Sequence, residues 1–125
     1  MQIFTEQKPI YLQLREKVEA AILQGNVAEN DALPSIRELA EMYQVNPNTV
    51  SNALSDLLSA GYLYKKRGIG IFVAEQAAER LRAQKATVFR NEELPQTVRK
   101  GKSLKISLDE FQEIVNTIYL NGGSQ

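Results

Sequence analysis

The sequence contains no cysteine and no histidine. These absences exclude disulfide bonds, thiolate and imidazole metal ligands, cysteine nucleophiles and histidine general bases. Catalysis would have to use carboxylates, lysines or hydroxyls. The nearest grouping is Glu92 and Glu93 with Lys100 and Lys102, and its spacing does not enforce a site. We therefore expect no enzyme, and neither a metal nor a cofactor.

Long apolar runs and a surplus of charge of one sign are lacking too. No apolar run is long enough for a membrane span, and the N-terminus lacks the basic and apolar regions of a signal peptide, so we expect a cytoplasmic protein with no membrane partner. Lysine plus arginine and aspartate plus glutamate both number 15, which gives zero net charge. Because most nucleic-acid-binding proteins have a basic surplus, the overall charge argues mildly against DNA binding.

The composition is otherwise that of a globular protein, with 43% apolar and 24% charged residues in a chain of 125. Residues 1–8 are expected to form a loose arm. Three amphipathic helices are then predicted, at about residues 9–25, 35–43 and 46–61. The second begins with a capping box formed by Ser35 and Glu38, and the third begins with Asn46 as N-cap and Pro47 in its first turn.

A β-hairpin is predicted directly after the third helix. Its strands lie at residues 62–66 and 71–73, and its tip lies at 67–70. Two helices joined by a short turn and followed by such a hairpin form a winged helix-turn-helix, in which the second of the two helices enters the DNA major groove and presents its first residues to base edges. The predicted fold class is therefore mainly α with a small β-hairpin.

The third predicted helix has an apolar stripe, and this stripe determines which residues face away from the core. The polar residues at its start and on its outward side are short hydrogen-bonding side chains: Asn46, Asn48, Thr49, Ser51 and Asn52. Asparagine can form two hydrogen bonds with adenine, and threonine can donate to a phosphate. Any solvated helix also has a polar face, and no lysine or arginine occurs between Glu38 and Tyr64. This helix alone leaves both interpretations open.

The hairpin tip favours DNA binding more strongly. Lys65, Lys66 and Arg67 precede Gly68 and Gly70, so three cations lie beside a tip with little side-chain bulk. Such a tip can enter a minor groove or lie along phosphates. A solvated run of charges is the alternative, but a helix-turn-helix together with a basic hairpin is more specific than either feature alone.

Residues 9–73 closely resemble the DNA-binding domain of the GntR family of bacterial transcription regulators. The matching segments are Ile10-Tyr11, LPSIRELA at 33–40, VNPNTV at 45–50, GYL at 61–63 and GIGIFV at 68–73. The resemblance implies a phosphate or base contact from Arg37, contacts from the start of the third helix, and a wing tip that reaches the minor groove at Arg67 and Gly68. The full predicted DNA interface is Ser35, Arg37, Asn46, Asn48, Thr49, Ser51, Asn52, Lys65, Lys66, Arg67, Gly68 and Gly70.

The chain departs from the family pattern in places. Asn46 and Pro47 stand where the family commonly has Ser-Arg or Thr-Arg, and Ser51 stands where it often has arginine. Guanidinium groups that would read guanine are therefore missing, which implies a different operator or weaker binding. Asn30 replaces a family glycine, and asparagine can adopt the same left-handed backbone.

Helical periodicity returns beyond residue 74. A helix is predicted from about residue 75 to 90, Pro95 is expected to kink or end any helix that reaches it, and a last helix begins with a capping box at Ser107 and stops at residues 121–123. About fifty residues are too few for an independent ligand-binding domain. This part resembles the short YtrA-like branch of the family, in which a two-helix C-terminal segment serves dimerisation.

We expect the C-terminal helices to bind a second copy of the chain, because exposed apolar stripes make poor monomer surface. The predicted dimer interface is Leu81, Val88, Phe89, Leu108, Phe111, Ile114, Val115 and Ile118. The alternative is that these helices pack onto their own winged helix. A small-molecule effector is left open as a further partner, in the groove between the dimer helices and the winged domains. Leu81, Phe89, Phe111 and Tyr119 could line this groove, but core or interface packing is the expected fate of each.

The sequence thus predicts a DNA-binding domain at residues 1–74 and a helical dimerisation segment at 75–125. The predicted function is that of a sequence-specific transcription regulator that binds a pseudo-palindromic operator as a homodimer. Repression rather than activation is an expectation from the resemblance. The alternative is a winged helix used as a protein-interaction or assembly module, which the zero net charge and the uncharged third helix would suit.

Overall fold

The structure is a computed structural model and describes residues 4–121. Its elements in chain order are α1 (Ile10–Leu23), α2 (Ile36–Tyr43), α3 (Pro47–Ser59), β1 (Leu63–Lys66), β2 (Gly70–Val73), α4 (Ala77–Val88), a π-helical turn (Phe89–Glu93), α5 (Leu94–Ser103) and α6 (Leu108–Asn121). The chain divides into two compact units, residues 1–84 and 85–125. No helix in the described range is long and apolar enough to cross a membrane.

The first unit packs α1, α2 and α3 around one apolar core. The most deeply buried side chains come from α1, α3, the hairpin and α4: Leu14, Ile22, Val50, Leu54, Leu63, Val73 and Leu81. The two strands pair antiparallel, from Leu63 opposite Val73 to Lys66 opposite Gly70. The predicted fold class is confirmed, because the described chain is mainly helical with one two-stranded hairpin.

Local signals determine where α2 and α3 begin. The Ser35 Oγ accepts a hydrogen bond from the Glu38 N–H at 3.0 Å, and the Glu38 carboxylate accepts one from the Ser35 N–H at 2.8 Å. The Asn46 Oδ1 accepts from the Asn48 N–H at 2.8 Å, and Pro47 occupies the first helical position. Both helices therefore start where the capping residues predict.

Residues 4–8, the described part of the N-terminal arm, are held against the helices of the first unit rather than loose as predicted. Gln13 is a buried polar residue, and its side-chain amide bonds to the backbone of the described part of the arm. The Oε1 atom accepts from the Thr5 N–H at 2.8 Å, and Nε2 donates to the carbonyls of Thr5 at 2.8 Å and Lys8 at 2.7 Å. The aromatic ring of Phe4 packs 6.0 Å from that of Tyr43 in α2.

The first unit extends past residue 74, the predicted end of the DNA-binding domain, to residue 84. Two side chains of α4, those of Ala77 and Leu81, lie in the core of this unit. Ala77 is fully buried and Leu81 is only 1% exposed. Arg80 donates to the Gly61 carbonyl at the end of α3 at 2.6 Å, and Arg82 donates to the Leu23 carbonyl at the end of α1 at 3.2 Å. The first turns of α4 therefore belong structurally to the winged helix.

In the second unit, α5 was not predicted, because Pro95 was expected to kink or end the preceding helix. A π-helical turn comes directly before it, in which the Leu94 N–H bonds to the Phe89 carbonyl. Pro95 then lies in the first turn of α5, where its missing N–H is tolerated. Ser107 caps α6 by accepting from the Glu110 N–H at 3.1 Å, as predicted. The predicted stop of α6 at residues 122 and 123 lies outside the described range.

Candidate nucleic-acid interface

The α3 helix presents a short polar face at its N-terminal half. Val50, Ala53, Leu54 and Leu57 are buried against the core, which leaves the opposite side of the helix exposed. On that side Asn48, Ser51 and Asn52 are exposed, Asn46 is exposed at the cap, and Thr49 is half-buried. Because the N-terminus of a helix carries a partial positive charge, this face combines neutral hydrogen-bonding groups with a preference for phosphate.

Arg37 lies on α2 with its guanidinium directed to solvent. Its side chain is 89% exposed, and its Nε lies 3.9 Å from the Glu41 carboxylate one helical turn later. An exposed pair of this kind contributes little stability, so the guanidinium can exchange Glu41 for a phosphate at small cost. Ser35 precedes Arg37, and its hydroxyl already serves the helix cap.

The wing is a hairpin braced by aromatic side chains on one face. The rings of Tyr64 and Phe72 stack with centroids 5.6 Å apart, and the Lys66 Nζ lies 4.8 Å above the Phe72 ring. The Tyr64 hydroxyl donates to the Asn30 Oδ1 at 2.9 Å. Asn30 has φ 66°, so the left-handed conformation expected for this residue is present. These contacts attach the hairpin to the loop before α2.

The three cations of the wing do not form a single cluster. Successive strand residues point to opposite faces, so Lys65 and Lys66 are separated by the hairpin. Lys65 lines a shallow groove together with Ser51 and Ser55 of α3, whereas Lys66 lies over Phe72. The run of basic residues in the sequence could not reveal this division, although strand alternation contains the signal for it.

The tip of the wing is a tight turn that exposes Arg67 and Gly68. The Ile69 N–H donates to the Lys66 carbonyl at 2.9 Å, and Gly68 has φ 76° with open space around it. Gly70 is the first residue of β2 rather than part of the tip. The predicted interface did not include Ile69, yet this residue is exposed between the two glycines.

Asp56 also lies on the exposed side of α3, but it forms an ion pair within the fold. Its carboxylate accepts a hydrogen bond from the Arg15 guanidinium of α1 at 2.5 Å. Arg15 also lies 3.9 Å from the nearly buried Glu19 carboxylate. This ion pair joins α3 to α1 and so positions the helix rather than reading DNA. In residues 4–121 no three acidic side chains converge in a way that could hold a metal ion.

The predicted dimer residues fall into two groups in the structure. Most are exposed or half-buried in the second unit: Val88, Phe89, Leu108, Phe111, Ile114, Val115 and Ile118. Leu81 corrects the prediction, because it is buried in the core of the first unit and cannot face a partner. The same burial removes it from the residues expected to line an effector groove. Its apolar character was visible in the sequence, but not which surface would cover it.

Residues 10–73 match the family model described as bacterial regulatory proteins, gntR family. The chain belongs to the GntR family. The transcriptional repressor YtrA of Bacillus subtilis is 34% identical over 110 residues, which cover 88% of this chain and 84% of YtrA. The similarity of this GntR protein to YtrA therefore extends over most of both chains and into the second unit.

Solved structures agree with this family membership. A GntR family transcriptional regulator from Listeria monocytogenes is 28% identical, has a TM-score of 0.77, and covers 91% of this chain and 98% of its own. The DNA-binding domain of AraR in complex with operator ORX1 is 33% identical, has a TM-score of 0.54, and covers 59% of this chain and 90% of its own. The GntR protein described here is a DNA-binding transcription regulator. The alternative of a protein-interaction module without DNA binding is not favoured.

Proposed function

We propose that this GntR protein is a cytoplasmic repressor that binds a pseudo-palindromic operator as a homodimer. The similarity to YtrA, which is named a transcriptional repressor, supports repression rather than activation. The operator complex of AraR supports duplex DNA as the partner of residues in the first unit. Within this proposal we assign no catalytic role to the chain.

The observation that carries the homodimer is the exposure of α6. Seven of its 14 side chains are apolar, yet none of its residues is buried within the described chain. Those side chains are Leu108, Phe111, Ile114, Val115, Ile118, Tyr119 and Leu120. An isolated helix of this length is marginal in water, and exposed apolar surface of this extent marks an interface. A second copy of the chain is the partner that we propose for it.

A groove between α5 and α6 gives this surface a shape that a partner can fill. It has a volume of about 450 Å³ and is lined by Leu94, Val98, Leu108, Phe111 and Val115, with Gln112 and Asn116 at its edge. In an isologous dimer each subunit contributes the same patch, so apolar side chains from one α6 can occupy the groove of the partner. A small-molecule effector stays a prediction that the structure does not test.

The DNA contacts follow from the exposed groups of the first unit. We propose that Asn48, Ser51 and Asn52 reach base edges, that Asn46 and Thr49 flank them, and that Ser35 and Arg37 approach the phosphate backbone. Lys65, Lys66, Arg67, Gly68 and Gly70 place the wing on the adjacent minor groove and its phosphates. Dimerisation compensates for the neutral recognition helix, since two half-sites on one duplex raise the effective concentration of the second contact.

Footprinting on the DNA upstream of the protein's own gene tests this function. The wild-type chain should protect two half-sites whose centres lie about one helical turn, ~34 Å, or a multiple apart. A double variant Asn48→Ala and Asn52→Ala should lose protection, whereas Thr117→Ala on the polar side of α6 should keep it. Protection of a single half-site, or equal protection by the double variant, would contradict the proposal.

A further inference from the structure

The wing tip contains an apolar side chain that the described residues of the first unit leave largely exposed. Ile69 is 73% exposed and is the most exposed large apolar side chain of residues 4–84. Its backbone is fixed, because its N–H closes the turn on the Lys66 carbonyl at 2.9 Å. Gly68 and Gly70 flank it without side chains, so the branched side chain of Ile69 stands alone at the tip.

The rest of the hairpin explains why Ile69 stays outside. The large side chains on the outer face are already engaged, since Tyr64 stacks on Phe72 and Lys66 lies over the same ring. On the inner face Leu63, Ile71 and Val73 are buried in the core. The side chains of Arg67 and Ile69 have no hydrogen-bonding, ionic or aromatic partner among the described residues. The tip therefore presents one cation and one apolar branch on a stiff support.

This pair of side chains suits the minor groove of A·T-rich DNA. That groove is about 6 Å wide, and the phosphates on either side of it attract an arginine whatever the base pairs are. Isoleucine is among the residues that proteins insert into minor grooves. A G·C pair places the guanine N2 amino group on the groove floor, and an apolar side chain cannot accept its hydrogen. Covering that amino group without a partner costs free energy, whereas an A·T pair has no such donor.

We propose that Ile69 enters the minor groove beside Arg67 and discriminates A·T from G·C pairs there. The inference rests on the proposed contact between the wing and DNA, and it adds a specificity-determining residue to that contact. Arg67 then supplies attraction that is largely independent of sequence, and Ile69 supplies selectivity. Ile69 would thus give the wing a selectivity for base pairs that its basic residues alone do not supply.

Base analogues separate this proposal from major-groove reading. A duplex is first selected from a random pool by the full-length wild-type chain, and the base pairs under the wing are located by footprinting of the minor groove. Each of these pairs is then made A·T, G·C, inosine·C or diaminopurine·T. Inosine·C has the minor-groove surface of A·T, and diaminopurine·T has the amino group of G·C. The wild-type chain should bind A·T and inosine·C about tenfold more tightly than the other two, within the usual range for one wrong base pair.

Two variants of the tip complete the test. Ile69→Ala should bind the four duplexes with nearly equal affinity and keep the wild-type dependence on salt. Arg67→Ala is the matched control, which should weaken all four equally and reduce the salt slope by about one. Circular dichroism and thermal unfolding should be nearly unchanged for Ile69→Ala, because the side chain is 73% exposed and lies outside the core.

The possible results distinguish a failure of the role proposed for Ile69 from a failure of the proposed contact between the wing and DNA. If Ile69→Ala keeps the wild-type preference, or if the wild type groups inosine·C with G·C, the role of Ile69 is overturned while the wing contact stands. If Arg67→Ala leaves affinity and salt slope unchanged, or if the wild type selects no duplex, the proposed DNA interface is overturned and the role of Ile69 with it.

Discussion

The ring of Phe111 in α6 lies directly against the Cα of Gly101 in α5. A side chain at position 101 would overlap this ring, and Gly101 is the one buried residue of α5. The glycine therefore sets how closely the two helices of the second unit approach. This contact also determines where Phe111, which lines the apolar groove, can lie.

Gly101→Ala should therefore weaken the dimer. The new methyl group forces the Phe111 ring out of its position, and overpacking of this kind costs about 1–3 kcal/mol. We expect the dimer dissociation constant to rise about tenfold, which corresponds to ~1.4 kcal/mol, in sedimentation equilibrium. Gln96→Ala, an exposed residue on the opposite side of α5 from Gly101, is the control and should leave the constant unchanged. A dimer of wild-type affinity for Gly101→Ala would show that the contact does not support the interface.

Leu81 and Ile118 should separate folding from association, although both were predicted at the dimer interface. Leu81→Ala should lower the free energy of unfolding by about 2–5 kcal/mol, because it opens a cavity in the core. Ile118→Asp should leave the unfolding of the isolated subunit unchanged but produce monomers, because this side chain is 61% exposed.

Urea unfolding of dilute samples and sedimentation velocity measure the two effects. Thr117→Asp adds the same charge on the polar side of α6 and should remain dimeric. Monomers for Thr117→Asp, or a stable dimer for Ile118→Asp, would place the interface elsewhere.

Gln13 should stabilise the first unit through the N-terminal arm. Gln13→Glu cannot donate to the carbonyls of Thr5 and Lys8, and it places a carboxylate in a nearly buried position. We expect a loss of about 1–3 kcal/mol in unfolding free energy, as for a buried polar group that loses its partner. Gln7→Glu, an exposed residue of the same arm, should change stability by less than about 0.5 kcal/mol. Equal stability of the two variants in urea would mean that the hydrogen bonds between Gln13 and the arm do not contribute to the free energy of unfolding.

Arg37 should contribute to DNA affinity through phosphate rather than through base contacts. Arg37→Ala should weaken binding to the selected duplex and to a shuffled duplex by a similar factor, and lower the slope of log affinity against log salt by about one. Fluorescence anisotropy across a salt series measures both quantities. Glu41→Ala, which frees Arg37 from its neighbour, should leave the slope unchanged. Loss of discrimination without a change of slope would assign Arg37 to base reading.

The sequence predicted most of the first unit because its signals are local. Capping residues such as Ser35 and Asn46 act within one helical turn, and Asn30 adopts the left-handed backbone that its position requires. Burial of Leu81 depends on which element covers an apolar stripe, and periodicity does not contain that information. The helix across Pro95 was missed because a π-helical turn absorbs the disruption.

Tertiary contacts limited the prediction of the candidate site in the same way. The exposed start of α3 and the basic tip were visible from residue types and spacing. The separation of Lys65 from Lys66, and the contact of Phe111 with Gly101, depend on how strands and helices pack. The exposure of Ile69 likewise depends on packing, since the aromatic rings of the hairpin stack on each other and not on the tip.

The stoichiometry of the DNA complex tests the central proposal most directly. Sedimentation of the full-length chain with a selected duplex should give two chains per duplex, and deletion of one half-site should weaken binding at least about tenfold because the second contact is lost. One chain per duplex, with affinity unaffected by that deletion, would contradict the proposal that the protein binds its operator as a homodimer.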